Sequence, residues 1–128
     1  MNVFYLDHDP KTCATYHNDK HCVKMILEYA QLMSTAHRIL DGEDVNPLIY
    51  KATHKNHPSA IWARTNGSNY EWLYELFVDL SDEYSYRYGK LHLSYTKLSG
   101  ILSNAPKNIP VGLFTQPTPA MPNHCKIT

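Results

Sequence analysis

His21, Lys24, Glu28, Gln31 and Thr35 recur at alternating steps of three and four residues, with His17 in line ahead of them. At ~3.6 residues per turn, such positions share about a third of a helix's circumference. An imidazole, an ammonium and a carboxylate on one strip are the groups that general acid–base chemistry or anion binding uses. A solvated helix face carries the same residue types, and Lys24 and Glu28 stand at the i,i+4 spacing of a surface ion pair. A second set follows at His54, Lys55, His57, Trp62 and Arg64, which with Lys51 forms the most basic stretch of the chain. Cations beside an aromatic ring suit a nucleic-acid backbone or a nucleotide phosphate. The structural alternative is a helix whose first histidine caps it and whose tryptophan lies in the core.

Other chemistries lack their motifs. Asp7-His8-Asp9 offers two carboxylates and an imidazole, but no further ligands stand near them, so the triplet reads as a loop and cap and no metal is assigned. Walker A, GxGxxG, GxSxG and HExxH patterns are all missing. No cofactor is therefore implied.

The elements that must position these groups are mostly helical. Residues 2–6, NVFYL, form a short β-prone run, and Asp9-Pro10 has the composition of a helix start, Asp as N-cap and Pro in the first turn. Asn18 or Asp19 opens a longer helix, which reaches about Leu40 and stops at Asp41-Gly42. Apart from its polar strip this helix is apolar over a wide arc, so it should pack on several sides. DGEDVNP reads as a loop and LIYKATH as another short helical segment. His57-Pro58 starts the segment SAIWART, which halts at Asn66-Gly67. Ser68 with Glu71 has capping-box spacing, opening a second long helix in which Tyr70, Leu73, Phe77, Leu80 and Tyr84 keep helical spacing up to Gly89. Leu91 to Leu102 forms a third. Prolines at 106, 110, 117, 119 and 122 bar a helix beyond Asn104, so residues 105–128 form an extended strap or a partly disordered tail. The expected fold is mainly α: residues 1–128 as a single-domain bundle of about three principal helices with an extended Pro-rich C-terminal segment.

Bulk properties narrow the function. A chain of 128 residues suits one core. Twelve basic residues balance twelve acidic ones, so no overall charge advertises a polyanionic partner. Ten tyrosines and two tryptophans supply core and, where exposed, base-stacking surface. Three cysteines without a CxxC pair read as reduced thiols. With no signal-peptide pattern and no ~20-residue apolar run, the chain reads as a cytoplasmic protein with no membrane partner.

The segment DKHCVKMILEYAQ resembles the start of the first long helix of pyrimidine-dimer DNA glycosylases, the family typified by endonuclease V of T-even phages. Asp19, His21 and Glu28 match that family's Asp-x-His and the catalytic glutamate seven residues beyond its histidine. HPSAIW, and the aromatic helix ending EYSYRYG, resemble its second half. The likeness spans roughly residues 1–90, and a set of uncharacterised phage proteins shares HDP, DKH, HPSAIW and NIP with this chain. Leu27 and Gln31 stand where the family has arginines, and Asn2 where it has the threonine whose amine attacks the sugar. The resemblance implies a glycosylase with lyase activity on damaged or modified pyrimidines in DNA. It implies roles for the α-amine of Met1, retained before Asn2, as nucleophile, for Glu28 as acid–base and for His21 beside sugar or phosphate. Asn2, Lys24, Gln31, His54, His57, Trp62 and Arg64 are then the substrate-binding candidates. The alternative is a phage nucleotide-binding protein, handling a nucleotide signal or modified base without lyase chemistry. A plain interaction protein with a solvated strip is the third.

Overall fold

In a computed structural model the described residues are 19–117 together with Asp9 and Ala14. The β-prone run at 2–6 and the short N-terminal helix lie outside them, as do residues 118–128. Among the described residues the elements are α1 (Asp19–Asp41), a 3-10 turn (Gly42–Asp44), α2 (Pro58–Ala63), α3 (Gly67–Tyr88) and α4 (Leu93–Leu102), with no strand. The expected mainly α bundle is the fold observed.

α1 forms where its apolar arc dictates. Met25, Ile26, Tyr29, Ala30, Leu32, Met33 and Ala36 are buried, and the helix packs against α2, α3 and α4 together. Tyr70, Leu73, Phe77 and Leu80 of α3 supply the opposing face, and Leu98 and Leu102 of α4 close the core. Cys22 is buried with its thiol directed at the Leu80 carbonyl oxygen, 3.8 Å away. Gly42 and Gly89 both adopt positive φ, 59° and 69°, so the two long helices end where a Cβ would be strained.

Two local expectations are corrected. LIYKATH is not helical. Arg38, one turn from the end of α1, donates Nε to the Tyr50 oxygen at 2.6 Å and Nη2 to the Ile49 oxygen at 2.8 Å. Those carbonyls are held by a side chain of another element, and the Tyr50 amide goes to Ser34 Oγ at 3.3 Å. The backbone is satisfied without a helix of its own. The N-cap of α3 is Asn66, not Ser68: Asn66 Oδ1 accepts the Asn69 amide at 2.9 Å, while Ser68 Oγ donates to the Gly112 oxygen at 2.7 Å.

Beyond α4 the chain runs as a strap over the N-terminal end of α3, through residue 117. Asp41 accepts the amides of Lys107 and Asn108 at 2.8 and 3.0 Å and Asn108 Nδ2 at 3.0 Å. Burial raises the Asp41 pKa, but these donors outweigh it and hold the carboxyl below its usual range.

Candidate functional site

Lys24, Glu28, Gln31 and Thr35 share one face of α1, as their spacing requires. Their environment changes along the helix: the Lys24 side chain is 66% exposed, Glu28 only 17%, Gln31 is half-buried and Thr35 fully buried. The strip therefore runs from solvent into the protein. Lys24 Nζ stands 3.9 Å from Glu28 Oε2, a long i,i+4 pair that contributes little stability and leaves the ammonium available to another anion.

The buried end of the strip reaches the basic segment. Thr35 Oγ1 accepts the Thr53 amide at 3.1 Å and lies 3.4 Å from the Thr53 carbonyl oxygen. One buried hydroxyl thus ties residues 51–57 to the α1 face bearing Glu28. Next in the chain, His54 adopts φ 46°, a conformation that costs a non-glycine residue of order 1 kcal/mol and persists only where neighbours impose it. Its Nδ1 lies 2.9 Å from Thr53 Oγ1, and its carbonyl accepts the His57 amide at 2.9 Å. The turn so formed leaves Lys51, His54 and Lys55 exposed, while Arg64 folds back and donates Nη1 to the Lys55 oxygen at 2.8 Å.

His57 caps α2: its Nδ1 accepts the Ser59 amide at 3.1 Å, which places the proton of the neutral ring on Nε2. Its pKa is lowered, first by burial and then by neighbouring positive charge that includes His54. The Ser59 hydroxyl beside it is fully buried and has no hydrogen-bond partner among the described residues.

Trp62 does not join this face. It is buried, stacks edge-on against Trp72 at 6.2 Å, and donates Nε1 to the Thr115 oxygen at 2.7 Å. Its ring belongs to the core and to the strap. Met1, Asn2 and the side chain of His21 lie outside the described residues.

A second polar cluster was not singled out by spacing. Tyr70 donates its hydroxyl to the Leu102 oxygen at 2.7 Å, so its oxygen accepts from His37 Nε2, 2.9 Å away. Burial raises the Tyr70 pKa and lowers that of His37, the latter despite Asp41 and the Asn104 carbonyl. His37, Asp41, Asp44, Asn46 and Lys107 line an open cavity of about 370 Å³. Its residues come from α1, the loop after it, α4 and the strap, so no local pattern could have joined them.

Among the described residues no three His, Cys, Asp or Glu side chains converge as a metal site, and no helix is long and apolar enough to cross a membrane. Comparison with protein-family models, curated proteins and solved structures finds no match to this chain.

Proposed function

We propose that the face built from Lys24, Glu28 and Gln31 of α1 and from the basic segment 51–64 holds the sugar-phosphate of a damaged or modified nucleotide in DNA. Glu28 is its acid–base residue, and the reaction class is N-glycosylase with lyase activity. The observation that supports this reading is the Thr35–Thr53 hydrogen bond, which ties the basic segment to the helix that bears the half-buried Glu28 carboxylate. A carboxylate so placed can handle a proton, and an exposed ammonium one turn away can meet a phosphate oxygen.

The chemistry requires a neutral amine, and an α-amine with a pKa near ~7.7 supplies one at physiological pH. In this reading the Met1 nitrogen bonds to C1′ of the sugar, and the base leaves with the electron pair of the C1′–N bond and takes up a proton. The sugar ring opens as its oxygen is protonated, the nitrogen loses its protons, and a Schiff base results. Removal of a proton from C2′ then expels the 3′ phosphate, nicking the strand. Glu28 is assigned the proton transfers at the sugar; Lys24, His54 and Lys55 are assigned the phosphates.

Borohydride trapping on an abasic-site oligonucleotide tests the reading, with Glu28→Gln and an N-terminally blocked protein as controls. A covalent adduct that disappears when the amine is blocked is the expected result. No adduct from folded protein overturns the lyase assignment. The burial of Trp62 favours one other reading, a site for a single nucleotide phosphate without lyase chemistry. Nucleotide binding lost in Lys55→Ala, together with no adduct, would identify that case.

A further inference from the structure

The strap is held in an unusual way. Residues 110–115 bury little of themselves: Val111 and Leu113 are 102% and 89% exposed. What holds them is their backbone. The Gly67 amide donates to the Pro110 oxygen at 2.9 Å, Ser68 Oγ to Gly112 at 2.7 Å, Asn66 Nδ2 to Leu113 at 2.9 Å, and Trp62 Nε1 to Thr115 at 2.7 Å. Asn69 Oδ1 accepts the Thr115 amide at 2.9 Å, and Asn69 Nδ2 meets both Thr115 Oγ1 and the Trp62 oxygen at 3.0 Å. Asn66, Asn69 and Trp62 are themselves buried, so the groove presents a fixed row of donors and one acceptor.

Two inward positions set its register. Phe114 packs against Trp62 and Trp72, ring centroids 6.1 and 5.7 Å away. At Gly112 an added Cβ would stand 3.0 Å from Asn66 Cβ, a capping side chain that cannot swing away. The groove therefore reads an extended segment of pattern Gly-x-Phe-Thr, through its backbone and one ring, and is indifferent to the side chains facing outward. This is how proteins bind extended peptides in trans, where main-chain hydrogen bonds give affinity and alternate pockets give specificity.

We infer that this groove is a peptide-binding site filled in cis by residues 110–115, and that its partner in trans is the same segment of a second copy of this chain. The segment is complementary by construction. Its hinge is the Ser103–Asn108 turn, exposed except at Ala105 and Pro106, and held by the Asp41 carboxylate. Exchange of such an element between copies replaces every contact of the closed form, so only the hinge and the concentration decide between them. This does not depend on the glycosylase reading.

The test uses the full chain and a fluorescent peptide of residues 109–117, which leaves out the two residues that Asp41 holds. The peptide should bind the wild-type protein weakly and Asp41→Ala more tightly, because the variant loosens the competing strap. Peptides carrying Gly112→Ala or Phe114→Ala should bind about tenfold more weakly, and Val111→Ala and Leu113→Ala peptides should bind equally well. Differently tagged copies, mixed at high concentration and separated by size, should yield mixed dimers, more of them for Asp41→Ala. No binding to either protein, binding indifferent to Gly112→Ala and Phe114→Ala, or no mixed dimers from wild type would each overturn the inference.

Discussion

Thr35 does at the residue scale what neither cluster does alone. Its hydroxyl is buried, and it accepts the amide of the half-buried Thr53. Thr35→Val keeps the shape of the side chain but orphans that amide, which costs about 1–2 kcal/mol. Urea denaturation should report that loss, and the mean helix content should not change. If the segment 51–57 serves the Glu28 face, the same variant should also weaken binding of abasic-site DNA severalfold. Unchanged DNA affinity in the destabilised protein would separate the hydroxyl's structural role from the proposed site. Arg38 offers a parallel case. Its fork spans two consecutive carbonyls, so Arg38→Lys, with a single ammonium, should still lose about 1 kcal/mol although charge is conserved.

At the scale of elements, the caps decide pH behaviour. His57 and His92 each cap a helix through Nδ1, accepting the amide of Ser59 or Ser94 at 3.1 Å. An imidazolium has no lone pair for that bond. His92 also reaches the Val23 oxygen of α1 through Nε2 at 3.2 Å, so it ties α4 to α1 in its neutral form. Burial lowers the pKa of His37, His57 and His92 below the ordinary 6.5. The unfolded chain thus binds more protons than the folded one just below pH 6.5. Their contribution is complete above that value and is lost as the pH falls through the folded pKa values. Thermal melts should show a decline as the pH falls below about 6.5, and His57→Asn with His92→Asn, which keep a cap without titrating there, should lessen it. These elements also show what the sequence could and could not convey. The polar strip, the long helices and the Gly89 stop are local patterns, and each is found where its pattern placed it. The segment 48–54 has helical composition, but its carbonyls are claimed by Arg38, and Ser68 has capping-box spacing, but its hydroxyl serves Gly112. Both departures arise from partners more than ten residues away, which no local window contains.

For the whole molecule the strap is the element that closes the fold. It joins the C-terminal end of α1, through Asp41, to the N-terminal end of α3, through Asn66 and Asn69, and so spans the bundle from outside. Its prolines forbid a helix, but its course is set by partners on other elements, and nothing in the spacing of Asn66, Asn69 and Trp62 announces that they face one segment. Asn69 makes three hydrogen bonds to two separate segments while fully buried. Asn69→Leu fills the space but leaves the Thr115 amide and the Trp62 carbonyl without that partner, a cost of about 2–4 kcal/mol by the usual penalty for orphaned groups. The loss should not be uniform. α1 and α3 pack through their own apolar faces, so hydrogen exchange in their centres should slow or quicken only with global stability. Amides of 109–115 and the Trp62 indole N–H should instead exchange far faster, and a protease should cut between Lys107 and Phe114 in the variant well before it attacks the helices. Equal acceleration everywhere would mean that the strap and the bundle unfold as a single unit.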